Sequence, residues 1–155
     1  MIDPRSPRFG AGITAVLLAV VIVLGLSAPP AGDVASRILN PPYLLLGAIS
    51  ALFLWGTTAG VARHPYGLLF RTLVRPRLGP PRELEDPRPP TFAQGVGFVV
   101  TAAGLVLGAL GVPFAVSVAA ALAFVAALLN SAFGYCIGCQ LYLVLLRLRP
   151  SGARA

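Results

Sequence analysis

Cys136 and Cys139 are the only two thiols in the chain, and the string Asn130-Ser131-Ala132-Phe133-Gly134-Tyr135-Cys136-Ile137-Gly138-Cys139-Gln140 holds them two residues apart. Thiols at that spacing can close a small disulfide, and on a helix the i, i+3 relation puts them on one face. If a helix restarts near Cys136 after the flexible Gly134, the unpaired N–H groups and positive dipole end of its first turn stabilise a thiolate there. A lowered thiol pKa is what makes one member of such a pair a nucleophile. Gly138 carries no side chain to obstruct an approaching sulfur. The pattern fits thiol–disulfide exchange or sulfur relay, with Cys136 as the attacking thiol and Cys139 resolving the mixed disulfide.

Other readings of the same residues stand beside this one. A structural disulfide is not expected if the pair faces the cytosol, because that compartment keeps thiols reduced. Both cysteines can be small, buried, inert packing residues. Metal or cluster binding is harder to build, because a closed zinc site takes about four ligands. This chain offers two Cys and one His, so only a dimer or a partner protein would complete the set; no metal or cofactor is expected. His64, the single histidine, should share a membrane face with the cysteines. That makes it a secondary catalytic candidate, beside the ordinary role of a satisfied interfacial residue. Asn130 is polar within an otherwise apolar stretch and should face a bundle interior, where a buried amide needs partners.

The elements that would position these residues are membrane spans. The 155 residues are 57% hydrophobic and 11% charged, against about 25% charged in an ordinary soluble domain, and the mean hydropathy is +0.84. That balance excludes most soluble enzymes and disordered tails. The net charge of +7 comes from Arg alone, with no Lys, and the arginines lie mostly between apolar runs; no nucleic acid partner is expected. Crossing the hydrocarbon core takes about 20 apolar residues, and the segments 10–28, 43–61, 92–112 and 113–133 meet that length. A cleaved signal peptide is the rival reading of the first. Its apolar run exceeds the roughly 7–15 residues of a signal core, and Pro29 and Pro30 sit awkwardly at the scissile bond, so an uncleaved span is expected. The expected fold is all-α: a four-transmembrane-helix bundle forming one integral membrane domain over 1–155.

Arg5 and Arg8 precede the first span, Arg63, Arg71, Arg75, Arg77, Arg82 and Arg88 lie between the second and third, and Arg147, Arg149 and Arg154 follow the fourth. Those eleven lie on one side and Arg37 alone on the other, which predicts cytoplasmic termini and a cytoplasmic loop 62–91 in the plasma membrane. A fifth span over 131–146 would put the tail arginines outside, so four is the expected number. Within the loop, 66–74 predicts a short interfacial helix, with Leu68, Leu69, Phe70 and Leu73 on the bilayer and Arg71 and Arg75 exposed to anionic lipid. Glu83, Glu85 and Asp86 beside Arg82 and Arg88 could form a mixed-charge docking surface. The run 141–146 predicts a helical extension after the cysteines, in a tail spanning 134–155.

Ile2-Asp3-Pro4-Arg5 with Arg8-Phe9, the string Pro65-Tyr66-Gly67-Leu68-Leu69-Phe70-Arg71 through Val74-Arg75-Pro76 to Glu83-Leu84-Glu85-Asp86, the run Phe92-Ala93-Gln94, and Asn130 through Cys139 together resemble a family of small actinobacterial membrane proteins, domain of unknown function four-three-nine-five. The resemblance extends over nearly the whole chain and implies a multi-pass membrane protein without an assigned activity. Members are often encoded near thioredoxin-like and sulfurtransferase proteins, which implies such a partner on the cytoplasmic side. One departure is Thr91, where the family pattern leads to an Arg.

Two further function classes compete. A transport or assembly component for a small anion or sulfur compound should show ionisable groups within spans or helices broken at mid-depth. Gly95, Gly97, Gly104 and Gly108 are the best candidates for breaks, although their spacing reads more simply as close helix packing. A pure membrane anchor would leave the cysteines inert.

Overall fold

A computed structural model describes residues 1–27, 32–81 and 83–148. The small residues around Ala28, Pro29 and Pro30, the loop residue Arg82, and the tail arginines Arg149 and Arg154 lie outside the described residues. Within them the chain forms seven α-helices: α1 (Arg5–Ser27), α2 (Val34–Ile38), α3 (Pro41–Ala59), α4 (Pro65–Leu69), α5 (Arg88–Ala109), α6 (Ala115–Phe133) and α7 (Ile137–Leu148). Four of these, α1, α3, α5 and α6, are long and apolar enough to cross a membrane. The all-α expectation, with a helical piece in the loop and a helix after the cysteines, is met.

The ends of the long helices follow from local chemistry. Prolines sit in the first turns of α3 and α5, where the missing N–H would have no helical acceptor anyway. At the start of α1 the Asp3 carboxylate accepts the Arg5 backbone N–H at 3.0 Å and pairs with the Arg5 guanidinium at 2.8 Å. The guanidinium beside it holds the Asp3 carboxyl below its usual range. At the far end of α5, Gly111 at φ +88° takes a left-handed conformation. Its N–H reaches the Gly108 carbonyl and that of Val112 reaches Leu107, the Schellman arrangement that satisfies a helix's last carbonyls.

The four long helices close a ring in which α1 packs on α3, α3 on α5, α5 on α6 and α6 back on α1. Leu18 and Val21 of α1, Leu46 and Ile49 of α3, and Ala119, Ala120 and Ala123 of α6 are buried at its centre. Lipid is as apolar as leucine, so such contacts rest on close van der Waals packing and small residues. The α5 glycines fill that role. A Cβ at Gly97 would lie 2.8 Å from the Phe53 ring, one at Gly108 2.8 Å from Val116, and one at Gly104 would overlap the Ala119 methyl. Nearby, Thr101 is fully buried, its Oγ1 3.0 Å from Ser50 Oγ and 2.8 Å from the Gly97 carbonyl. The outward faces expose Val16, Val23, Leu44, Val99, Val106 and Leu122, a surface suited to acyl chains.

One end of the bundle gathers the N-terminus, the 60–87 connection and the cysteine segment. Ile2 and Glu85 exchange two backbone hydrogen bonds of 2.9 Å, and Arg5 donates to the Gly79 carbonyl at 3.0 Å. At the opposite end Arg37 donates to the Ala109 carbonyl at 3.4 Å. The connection is helical over Pro65–Leu69, π-helical over Phe70–Val74 and 3-10 over Arg75–Arg77, a compound version of the expected loop helix. Phe70 differs from its expected lipid-facing position. It is 1% exposed and stacks near Phe9 of α1, ring centroids 5.7 Å apart, while Leu68, Leu69 and Leu73 stay exposed.

Candidate functional site

The end of α6 and the start of α7 build the cysteine site. Gly134 at φ +68° stops α6, its N–H bonded to the Asn130 carbonyl at 3.0 Å; a residue with a Cβ would be strained there. The chain turns and α7 begins anew, so the cysteines start a separate helix and do not prolong α6. The Cys136 carbonyl accepts the Gln140 N–H at 3.1 Å, closing the first turn of α7. Its Sγ accepts the Cys139 N–H at 3.3 Å, as an N-cap side chain does. Cys136 and Cys139 are joined in a disulfide, their Cα atoms 5.2 Å apart. Both are partly exposed, flanked by exposed Tyr135 and Ile137.

The sulfur of Cys136 lies at the N-terminal end of α7, against the first-turn amide of Cys139. Gly138 serves a different purpose from the open approach expected of it. It is buried, and a Cβ there would lie 2.6 Å from Ala93 Cβ and 2.7 Å from Ala93 Cα. The glycine is what lets the start of α7 lie on the backbone of α5, with Tyr142 against Phe92 at 5.6 Å between ring centroids.

Behind the disulfide lies a cavity of about 570 Å³ enclosed by α1, α3, α5, α6 and the loop. Cys136, Ile137 and Gly138 line one wall, while His64, Tyr66, Gln94 and Asn130 contribute polar groups. Arg71 and Arg75 sit at its loop end, and Ile49, Val100 and Ala123 line it at the level of the helix middles. The structure thus brings two of the three sequence candidates, His64 and Cys136, onto one cavity; Cys139 is not among its lining residues. Asn130 faces the interior, as its isolation in an apolar helix predicts. Gln94, equally isolated in α5, carries the same signal and was missed as a site residue. The Thr91 hydroxyl accepts the Val61 N–H at 3.4 Å, linking the segment after α3 to the start of α5.

His64 is 6% exposed, and both ring nitrogens meet backbone. Nδ1 accepts the Tyr66 N–H at 3.2 Å, capping α4, which leaves Nε2 to donate to the Leu52 carbonyl at 3.1 Å. Burial pushes its pKa below the ordinary 6.5, partly opposed by the Leu52 carbonyl. As pH falls through 6.5 the unfolded chain takes up a proton that the folded ring refuses. Stability contributed here is therefore present at neutral pH and lost on acidification below that value. Protection factors over residues 61–74, which remove the intrinsic slowing of amide exchange at lower pH, are expected to fall between about pH 7.5 and pH 5, and a His64→Phe chain, less protected throughout, should show a flat residual dependence. Equal pH dependence in both chains would assign the effect elsewhere.

Comparison with curated proteins and with solved structures finds no match. A family match covers residues 2–147, from the bridged N-terminal strap through the cavity-lining helices and the cysteine pair to the end of α7. The chain belongs to the family described as Domain of unknown function (DUF4395).

Proposed function

We propose that the protein is a membrane-embedded dithiol that exchanges disulfides, or relays sulfur, with a soluble partner of thioredoxin-like or sulfurtransferase type. The observation that carries this reading is the disulfide of Cys136 and Cys139 at the start of α7, with the Cys136 sulfur held by the Cys139 amide. In the forward step a partner thiolate attacks Cys136 Sγ, forming a mixed disulfide and releasing Cys139 as a thiolate. The partner's second thiolate then attacks its own bridged sulfur, freeing Cys136; the partner is oxidised and the pair reduced by two electrons. The reverse sequence reduces a partner disulfide. His64 enters the proposal as the residue holding the loop over the cavity. The arginines Arg5, Arg8, Arg63, Arg71, Arg75, Arg77 and Arg88 of this end, against Arg37 at the other, support a plasma-membrane orientation with the pair at the cytoplasmic face.

Trapping tests the proposal. In a Cys139→Ser chain, Cys136 can attack a partner disulfide but nothing intramolecular resolves the product, so a mixed disulfide should accumulate. Cys136→Ser should accumulate far less. Absence of any mixed disulfide in the first chain, together with a wild-type pair that no soluble dithiol reduces, overturns the exchange reading.

A further inference from the structure

We infer that the cavity behind Cys136 binds a membrane quinone, which takes electrons from the Cys136–Cys139 dithiol. This inference rests on the exchange reading for its reaction, and on the cavity alone for its binding site. At about 570 Å³ the cavity lies within the roughly 300–1,000 Å³ typical of small-molecule sites. From Gln94 to Val100 its α5 wall extends six residues, about 9 Å along the helix, so it reaches from the cysteine level toward the middle of the bundle. Its loop end is polar and its deeper part apolar, so it suits a flat or slender occupant with an apolar body that reaches the level of Val100 and Ala123.

The polar groups narrow the class. Among the described residues the side-chain amides of Gln94 and Asn130 make no hydrogen bond to another side chain or to backbone; their atoms are open to the cavity rather than sealed in the packing, which both residues line inside helices read as spans. An unpaired amide in an apolar setting is costly. A lipid acyl chain would leave it unpaired. A quinone supplies two carbonyl acceptors on an otherwise apolar body, and each amide has an NH2 to donate. Gln94 is kept in place by a missing side chain, since a Cβ on Gly56 would lie 2.7 Å from Gln94 Cγ.

The chemistry balances without a further reactant. Cys136 and Cys139 in the dithiol form give up two electrons and two protons as their S–S bond closes, and the quinone takes both and becomes the hydroquinone. Cys136 is the cysteine on the cavity wall, so it faces the acceptor while the partly exposed Cys139 lies off that wall. Coupled to exchange, the cycle carries reducing equivalents from a soluble dithiol into the bilayer.

The test uses the full chain in lipid nanodiscs, reduced, freed of reductant and mixed with a fully ring-substituted, decyl-tailed benzoquinone, whose ring has no open position for a thiol to add to. Quinone absorbance should fall by one equivalent per cysteine pair, with loss of maleimide-reactive thiols. Asn130→Leu and the cavity-filling Ala127→Phe should slow this about tenfold, a difference of roughly 1.4 kcal/mol, while dithiothreitol still reduces both at the wild-type rate. Asn130→Leu, which keeps the branching and heavy-atom count of the side chain while removing its amide, keeps the test valid if the larger Phe disturbs folding. An azidoquinone should also label the Gln94 and Asn130 segments of a chain with both cysteines changed to Ser. A pair that exchanges with dithiothreitol but leaves the quinone unreduced, or equal quinone rates in all chains, overturns the inference and leaves exchange standing. Azidoquinone labelling at those segments with a pair inert to dithiothreitol upholds the site and overturns exchange instead.

Discussion

A chain carrying Gly104→Leu is expected to yield little folded protein. The first added carbon already overlaps the Ala119 methyl and lies 3.2 Å from the Ala115 carbonyl oxygen. Those atoms belong to the α6 backbone and its shortest side chain, so neither can rotate away. Inserting extra methylenes into a packed core costs about 1–3 kcal/mol, and leucine adds four carbons at a point where two helices touch. The bundle would have to separate α5 from α6, which also opens the cavity wall they share. Gly47 supplies the control, because a Cβ there meets nothing within 4 Å. Thermal unfolding in detergent, followed by Trp55 fluorescence, should show no cooperative transition for Gly104→Leu and a nearly unchanged one for Gly47→Leu. A wild-type transition in the first chain would mean that the helices do not cross at this residue.

Gly138→Val should produce the second large effect, confined to α7. The added carbons meet Ala93 Cβ at 2.6 Å and Cα at 2.7 Å, and backbone cannot move aside without shifting α5. The cheaper response is for the start of α7 to lift, while the pairing of Tyr142 with Phe92 holds its later turns on α5. Lifting removes Cys136 from the cavity wall while α1, α3, α5 and α6 keep their contacts. The unfolding midpoint should fall by only a few degrees, as expected for about 1 kcal/mol in a domain of this size. Maleimide reactivity of the reduced pair should meanwhile rise about tenfold, because sulfurs once partly shielded become open to solvent. Unchanged reactivity would show that the start of α7 does not depend on this contact.

Much of this arrangement is legible in the residues, and what is not has identifiable physical causes. Four spans are visible because length and apolarity are summed quantities. Their ends are less visible: α1 begins at Arg5 and α5 at Arg88, inside stretches that hydropathy assigns to solvent. Charged and proline residues are tolerated in a first helical turn, so apolar counting stops short of the true start. Between spans the short helix α2 arises from Asp33 accepting the Ser36 N–H at 3.2 Å, a cap that carries no apolar signal. Phe70 was placed with its apolar neighbours toward lipid, but its burial depends on Phe9, sixty-one residues away in the chain. That the two cysteines can bridge is legible from spacing alone, and the structure joins them. The cavity behind them is not, since a cavity exists only through the mutual placement of helices, and the part a sequence can signal is the isolated amide, at Gln94 as at Asn130.

The ring closure of the four long helices has a consequence for biosynthesis. Helix α1 leaves the ribosome first and packs chiefly along α6, the last of the four to be made. Leu18 and Val21 find Ala119, Ala120 and Ala123 only after about a hundred further residues have been translated, at roughly 5–20 residues per second. In that interval α1 has α3 for company but lacks the larger part of its final surroundings. A premature stop before Ala115 therefore leaves a membrane protein whose first span is inserted and unmatched, so surveillance of unassembled spans has a natural target in α1.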